Sequence, residues 1–224
     1  MQAGDHIITA GGDCTAAYGA YEHRTERSTG DDVRARFVLT AAHCASLNAT
    51  VVRSDKPIAG PFYEVGTVNR VANASGAFRL DGEAIRIKGG LAPNTIFRNG
   101  LRPLPVGNPA QAHHNEPICI SGVGSNEKRC GKVVGEFAAP GGGYTEIVYL
   151  AKLDSVDGDS GSPAWNPTTG MSIGIVEGEP EGHPQYCVIV PLIKTPREPS
   201  SRSPGVLKAL SLPNPPRLQL IVGH

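Results

Sequence analysis

Residues 158–163 read Gly-Asp-Ser-Gly-Ser-Pro, and residues 40–44, far upstream, read Thr-Ala-Ala-His-Cys. A serine hydroxyl is a poor nucleophile at neutral pH, so it needs a base to remove its proton. It also needs hydrogen-bond donors that receive the charge developing on the attacked carbonyl. The two strings therefore bring a candidate nucleophile, Ser160, and a candidate base, His43, into one chain.

Short apolar segments surround both strings. Residues 35–44 form one of them, which ends in small residues at His43. Others are apolar or alternating, rich in β-branched residues and bounded by glycine, proline or asparagine, which is typical of strands. They span residues 63–71, 83–87, 117–121, 132–137, 146–153, 172–177 and 186–193. The helical signal is confined to residues 203–210, which begin with a capping serine and a proline.

The composition agrees with many short strands joined by turns. The 224 residues include 28 glycines and 19 prolines, which interrupt regular structure too often for long helices. The 21 basic residues balance the 21 acidic ones, so the chain as a whole has no electrostatic attraction to nucleic acid or to an anionic membrane. No apolar run approaches the roughly 20 residues that span a bilayer. We expect neither nucleic acid nor membrane as a partner.

The cysteines indicate the compartment. There are five, none with the spacing of a zinc site and none in a C-x-x-C pair. Disulfides formed in an oxidising environment explain them better than metal ligands do. The sequence therefore predicts a secreted protein without a metal site. The odd number of cysteines leaves one thiol unpaired.

The two strings, in this order and at this separation, resemble the chymotrypsin-like serine peptidases, especially their bacterial, streptogrisin-like branch. Residues 8–18, Ile-Thr-Ala-Gly-Gly-Asp-Cys-Thr-Ala-Ala-Tyr, are similar to the beginning of a mature streptogrisin-type domain. The resemblance covers about two thirds of the chain, and only the His and Ser motifs are highly specific. It implies an all-β fold of two packed six-stranded antiparallel Greek-key β-barrels with a short C-terminal helix. Residues 1–105 and 106–224 would form the halves, with the site between them.

Carried over residue by residue, the resemblance makes Ser160 the nucleophile and His43 the general base that later protonates the leaving amine. The backbone N–H groups of Gly158 and Ser160 would form the oxyanion hole. These roles describe hydrolysis of a peptide bond through an acyl-enzyme, without a cofactor.

The resemblance also implies which cysteines pair. Cys119 and Cys130 flank a glycine-rich turn at the spacing that the streptogrisin branch uses for a disulfide. Cys14 with Cys44 would join the first strand to the loop that carries the histidine. Cys187 is then the free thiol, buried within an apolar strand where a cysteine is usually inert.

The acid that orients the histidine is irregular in this chain. In the family an aspartate stands two residues before an alanine that opens a short apolar strand. Here Asp81 stands three residues before Ala84, and Gly82 occupies the expected position. We predict Asp81 as the acid, because the adjacent glycine permits a bulge that re-aims its carboxylate. Glu83 remains the alternative.

The segment before the nucleophile bears on specificity. Residues 154–160 resemble the corresponding run in trypsin-type members, where an aspartate six residues upstream lies at the base of the primary specificity pocket. The resemblance places Asp154 and Ser155 in that pocket and Glu177 along its wall, which implies a preference for Arg or Lys on the acyl side. Val156 stands where the family commonly has a cysteine. An equally supported alternative is that these acids are solvated loop charges.

Taken together, the residues predict a secreted, monomeric serine endopeptidase that acts on proteins or peptides. Two alternatives stay open: a catalytically weak or inactive homologue that works as a binding protein, and an esterase with the same nucleophile. A third question concerns Asp159. In trypsin-type members a freshly cut N-terminal amine pairs with this aspartate, whereas streptogrisin-type members order the pocket without that insertion.

Overall fold

The computed structural model describes residues 3–25, 32–54, 61–72, 80–87, 95–96, 104–141, 144–193, 205–210 and 218–222. Nearly all regular structure in these ranges is β-strand, as the composition predicts. The strands are β1 (His6–Thr9), β2 (Gly12–Thr15), β3 (Gly19–Thr25), β4 (Asp32–Thr40), β5 (Thr50–Ser54), β6 (Phe62–Val71), β7 (Glu83–Ile87), β8 (Thr95–Ile96), β9 (Leu104–Pro105), β10 (Pro117–Gly122), β11 (Glu127–Gly141), β12 (Tyr144–Lys152), β13 (Pro163–Trp165), β14 (Ser172–Gly178), β15 (Cys187–Pro191) and β16 (Gln219–Leu220).

The second half of the chain closes into a six-stranded antiparallel barrel, as predicted. Its strand order is β10-β11-β12-β15-β14-β13, and β10 completes the ring by pairing with both β11 and β13. The largest strand pair is β11 with β12, whose register runs from Lys132 opposite Lys152 to Gly141 opposite Tyr144.

Where the resemblance implied a second six-stranded barrel, the first half forms an eight-stranded antiparallel sheet, in the order β16-β3-β4-β7-β6-β5-β1-β2. The strands near its two ends, β2 and β3, are consecutive in the chain and separated only by residues 16–18. This bent segment continues onto β4 through hydrogen bonds of Leu39 with Ala17 and Tyr18, so the sheet curls back toward itself. Its outer edge is extended by β16, which pairs Gln219 with Tyr21. The tail of the chain thus crosses back to the first half.

A buried cluster joins the two sheets. Tyr18 of the first half is fully buried, and its hydroxyl donates to the carbonyl oxygen of Ala164 in the second half at 2.6 Å. Other members from both halves include Phe37, Leu39, Trp165, Val190 and Leu192. Because interiors pack closely, this cluster fixes how the halves meet, and with it the geometry of any site that they share.

The short helix α1 (Gly205–Ala209) confirms the helical signal near the end of the chain; residues 203 and 204 lie outside the described ranges. It packs behind the segment that carries Asp81, where Val206 contacts Gly82. No helix in the described part of the chain is long and apolar enough to cross a membrane.

Both expected disulfides are present, Cys14–Cys44 and Cys119–Cys130. The first ties β2 to the turn after β4, and the second joins directly opposed positions of β10 and β11. Cys187 is a buried free thiol, and burial raises its pKa to about 12. The thiolate is the reactive form of cysteine, and at neutral pH Cys187 keeps its proton. It is therefore unreactive and packs as an apolar residue.

Candidate active site

His43 lies in a single turn of 3-10 helix, Ala42–Cys44, directly after β4. The turn is anchored at its far end because Cys44 is bonded to Cys14 on β2. Ala42 and Cys44 are buried, whereas the side chain of His43 is 47% exposed. The turn therefore presents the imidazole at the surface of the first sheet, while its neighbours hold the backbone in the core.

Asp81 contacts His43 twice. Its Oδ2 lies 2.6 Å from Nδ1 of the ring, and its Oδ1 accepts the backbone N–H of His43 at 2.8 Å. The carboxylate is aimed by a three-residue turn just before β7, in which the N–H of Gly82 donates to the carbonyl of Leu80 at 2.8 Å. The irregular segment noted in the sequence is thus a turn that brings Asp81 to the imidazole.

This pairing sets the protonation of the histidine. The hydrogen bond to Asp81 raises the pKa of His43 above its usual 6.5, and partial burial opposes that shift. The charges of Asp81 and Glu177 raise the pKa of His43 further. A bond from the ring to a carboxylate also fixes the tautomer, because Nδ1 carries the proton and Nε2 is left free to accept one.

Glu83, the alternative acid, does not reach the histidine. It is the first residue of β7, opposite Thr40 of β4, and its side chain is fully buried. Neither carboxylate oxygen has a hydrogen-bond partner among the residues that the structure describes. Burial, followed by the nearby charge of Asp81, raises the pKa of Glu83 from 4.5 to about 9. It is therefore a neutral carboxylic acid at pH 7, behind the residue that orients His43.

Ser160 belongs to the second half, in the turn between β12 and β13. Its hydroxyl donates to the carbonyl oxygen of Glu177 at 3.1 Å, at the end of β14. In the described part of the chain no hydrogen bond joins this hydroxyl to His43. Glu177 nevertheless connects the two, since its backbone holds Ser160 and its charge acts on the imidazole. A Cβ on Gly161, the residue after Ser160, would lie 3.3 Å from the backbone nitrogen of Ala41, so the nucleophile turn lies against the segment that leads into His43.

The backbone around Ser160 leaves two N–H groups available. The N–H of Asp159 donates to Val156 and that of Gly161 donates to Val176, at 2.9 and 2.8 Å. The N–H groups of Gly158 and Ser160, which alternate with these two along the chain, donate to no residue within the described ranges. Gly158 has φ +92°, a left-handed conformation that glycine adopts without steric cost. This alternation is what a pair of oxyanion donors requires.

Asp159 is fully buried, and its carboxylate is satisfied from within the barrel. Its Oδ1 accepts the backbone N–H of Ser125 at 2.9 Å and the hydroxyl of Ser125 at 3.1 Å. Its Oδ2 accepts the N–H of Val156 at 3.2 Å. Residues 1 and 2, whose amine the trypsin-type arrangement would use, lie outside the described ranges. The turn between β10 and β11 supplies the partners of Oδ1, and the segment just before the nucleophile supplies that of Oδ2.

The expectation for Asp154 needs correction. Its side chain is 67% exposed and accepts a hydrogen bond from Nη1 of Arg129 at 2.6 Å. The chain has just left β12 at this point, and Asp154 lies on the outside of the barrel beside β11, where water and an arginine both offset its charge. It therefore does not form the base of a pocket. Ser155 is buried, and Glu177 is half-buried at the end of β14.

An open groove adjoins the imidazole on the side of the first sheet, with a volume of about 630 Å³. Besides His43 it is lined by Ala10, Gly11, Ala42, Cys44, Ala45, Ser46, Leu47, Ala49 and Val71. The lining is mostly small and apolar, so it suits a modest apolar side chain. His43, Cys14 and Cys44 also lie close enough together to hold a metal ion, but both sulfurs are already joined in the disulfide.

Two contributors were not predicted from the sequence. Ser125 binds the carboxylate of Asp159, and Thr15 hydrogen-bonds to the backbone of the nucleophile turn from the other sheet. Thr15 falls within residues 8–18, which were noted only for their overall resemblance. A threonine within a strand carries no local pattern that identifies a partner 143 residues away.

Comparisons with known proteins agree with this fold. A family model described as Trypsin matches residues 11–195. Solved structures of similar fold include Thermobifida fusca protease A, with 17% identity over 99% of this chain and 98% of that chain and a TM-score of 0.67. Nocardiopsis protease has 17% identity over 98% and 97%, with a TM-score of 0.66. A glutamic acid specific serine protease has 21% identity over 85% and 93%, with a TM-score of 0.63. No curated protein matches this chain.

Proposed function

The chain belongs to the trypsin family, and from that membership we propose that it is a serine endopeptidase that cleaves peptide bonds through an acyl-enzyme. Ser160 is the nucleophile, His43 the general base and Asp81 the residue that orients the histidine. The N–H groups of Gly158 and Ser160 form the oxyanion hole. The observation that carries the proposal is the His43–Asp81 pair, at 2.6 Å, in the segment against which the Ser160 turn packs.

The reaction follows from these positions. Before attack, the Ser160 hydroxyl exchanges the Glu177 carbonyl for Nε2 of His43 as its hydrogen-bond acceptor. The oxygen then bonds to the substrate carbonyl carbon while Nε2 takes the proton, and the two free N–H groups receive the negative oxygen. His43 next gives its proton to the leaving amine as the C–N bond breaks. Water, activated by the same imidazole, releases the acid and restores the serine.

The family also implies the setting. Its members act on proteins or peptides, and two disulfides are expected of an oxidising compartment. We therefore propose an extracellular enzyme that works as a monomer. Residues 1–105 and 106–224 act as the two halves of one peptidase unit, since the proposed base and nucleophile come from different halves.

The first experiment is labelling with a fluorophosphonate probe, which reacts with activated serines. We expect stoichiometric labelling of the wild-type protein and none of Ser160→Ala, together with hydrolysis of peptide substrates. A folded wild-type protein that is neither labelled nor active would support the binding-protein alternative. Labelling with turnover of simple esters but not of peptide amides would support the esterase.

The second experiment concerns preference on the acyl side. Asp154 is paired to Arg129 at the surface, so we assign a preference for Arg or Lys to Glu177, whose backbone carbonyl accepts from Ser160. A panel of Arg, Lys, Phe, Leu and Glu substrates tests this; Glu is included because one structural neighbour is a glutamic acid specific protease. Glu177→Gln should reduce the preference for basic residues, and Asp154→Asn should leave it unchanged. Preference for Phe, Leu or Glu would refute the assignment.

A further inference from the structure

Thr15 connects the first sheet to the nucleophile turn of the second. It is the last residue of β2 and is fully buried. Its backbone N–H donates to the carbonyl of Ser160 at 2.8 Å, and its hydroxyl donates to the carbonyl of Gly158 at 2.7 Å. The same hydroxyl oxygen accepts the N–H of Val123 at 3.1 Å. One residue therefore binds the carbonyls of the two residues whose N–H groups form the proposed oxyanion hole.

These contacts restrain the orientation of two peptide planes. The plane between residues 158 and 159 is bound at its carbonyl by Thr15 and at its N–H by Val156. The plane between residues 160 and 161 is bound at its carbonyl by Thr15 and at its N–H by Val176. The N–H of Ser160 belongs to the plane between these two, and the N–H of Gly158 belongs to the plane just before them, so the direction of both depends on the planes that are held.

Restraint matters at this position because Gly158 has no side chain and φ +92°. A glycine with a positive φ rotates its flanking peptides at low cost, and rotation of one peptide exchanges an inward N–H for a carbonyl oxygen. A carbonyl there would repel the developing oxyanion. The Thr15 hydroxyl restrains the peptide plane on the other side of Gly158, since turning the Gly158 carbonyl away would leave a buried donor without a partner. Holding that plane removes one of the two peptide rotations around Gly158.

Thr15 is also bound on the side of the base. Its own carbonyl accepts a hydrogen bond of 2.8 Å from the hydroxyl of Thr40. Thr40 is the last residue of β4, the strand before the His43 turn. The preceding residue, Cys14, is disulfide-bonded to Cys44 at the end of that turn. The same short segment of β2 thus contacts both the segment that carries His43 and the turn that carries the oxyanion donors.

We infer that Thr15 is a positioning residue whose hydroxyl, by holding the Gly158 carbonyl across the interface between the sheets, orients the oxyanion hole. The inference rests on the proposed function. It distinguishes the hydroxyl from the rest of the side chain, because valine has nearly the same shape as threonine and keeps the backbone bond to Ser160. Thr15→Val therefore tests orientation with little change in packing.

The experiment compares wild type, Thr15→Val, Thr15→Ser and the matched control Thr67→Val, which makes the same exchange on β6. Steady-state kinetics on a peptide substrate are measured with inhibition by a peptidyl aldehyde and by the corresponding peptidyl alcohol. The aldehyde forms a tetrahedral adduct with the nucleophile, whereas the alcohol only binds. Removal of one oxyanion donor lowers kcat by about 100-fold or more, so misorientation by loss of the hydroxyl should lower it by about tenfold.

We expect Thr15→Val to lower kcat about tenfold with KM unchanged, and to weaken the aldehyde by the same factor but not the alcohol. Thr15→Ser should restore most of kcat, and Thr67→Val should match wild type. The carbonyl stretch of a slowly hydrolysed acyl-enzyme should also move to higher frequency in Thr15→Val, which reports a weaker oxyanion hole directly.

Unchanged kcat in folded Thr15→Val, or a rise in KM alone, would overturn the inference while leaving the proposed function intact. Absence of labelling and turnover in wild type would instead overturn the proposed function. If Thr15→Val does not fold, Thr15→Ala removes the same hydroxyl from a smaller side chain and is judged by the same kcat, aldehyde and alcohol measurements.

Discussion

The Asp81 carboxylate accepts hydrogen bonds from both the ring and the backbone of His43, at 2.6 and 2.8 Å. The first contact fixes the tautomer and the second fixes the turn that carries the ring. An asparagine at position 81 could keep the backbone contact, because its carbonyl oxygen still accepts. It would lose the negative charge that stabilises the protonated imidazole.

Asp81→Asn should therefore lower kcat by about 10⁴-fold on a peptide substrate with little change in KM or in thermal stability. Glu83→Gln is the matched control, two residues away in the same segment, and should retain activity at neutral pH. Comparable losses in both variants would mean that the segment, and not the carboxylate of Asp81, supports the histidine.

The pH dependence of activity should report the raised pKa of His43. The base must be neutral to accept the serine proton, so kcat/KM rises with pH as His43 loses its proton. Because Asp81 and Glu177 both raise the pKa of His43, the midpoint of the acidic limb should lie above 6.5. Glu177→Gln should move that midpoint to lower pH. A midpoint at or below 6.5 in the wild-type profile would contradict the pairing.

Glu83 should make stability depend on pH. Its pKa is about 9 in the folded protein, compared with 4.5 when exposed. The folded state thus binds a proton that the unfolded state releases, and the free energy of unfolding falls as pH rises between these two values. Glu83→Gln removes this loss, so the variant should become progressively more stable than wild type, by at most about 1.4 kcal/mol per pH unit.

Urea unfolding at pH 4, 6, 8 and 9 measures the difference between the two proteins, which cancels the titration of other groups. The curves should nearly coincide at pH 4 and separate as pH rises. A difference that does not change with pH would show that Glu83 titrates normally in the folded protein.

Gly161 tests how closely the two sheets approach. It has φ +85°, and a Cβ there would lie 2.1 Å from the hydroxyl oxygen of Thr40 and 2.2 Å from the carbonyl oxygen of Thr15. Gly182 has a similar φ of +75° but no atom within 4 Å of such a Cβ. Gly182→Ala should lower the free energy of unfolding by about 1–2 kcal/mol, which is the conformational cost of an alanine in the left-handed region.

Gly161→Ala should cost clearly more than Gly182→Ala and abolish fluorophosphonate labelling, because the sheets must separate to admit the methyl group. Thermal unfolding and labelling of both variants make the comparison. Equal melting temperatures with full labelling of Gly161→Ala would show that the interface is looser than the structure indicates.

Local pattern predicted the short helix and eight of the sixteen described strands, namely β4, β6, β7, β10, β11, β12, β14 and β15. Residues 83–87 were predicted as a strand and are one, because alternation and β-branching act within a few residues. The pattern did not place His43 correctly at the end of a strand; it lies in a turn of 3-10 helix held by the disulfide. That anchor is a contact between distant residues, which periodicity does not contain.

The same limit applies to the site. The Ser and His motifs were recognised from the sequence alone. The position of Asp154, by contrast, depends on where the chain leaves β12 and on Arg129, a residue of another strand. Val156, at the position of a family cysteine, was the local sign of that departure. Thr15 had no sign at all, since its role is defined by carbonyl groups of a segment folded against it from the other half.

The pairing of Gln219 with Tyr21 has a consequence for biosynthesis. The hydroxyl of Tyr21 also donates to the side chain of Gln219, across 198 positions. The ribosome synthesises strands β1 to β7 of the first sheet long before β16. The edge of the sheet at β3 therefore stays uncovered while the barrel of the second half is translated. Such an open edge can pair with another nascent chain. Late in translation, β16 reaches it and shields it.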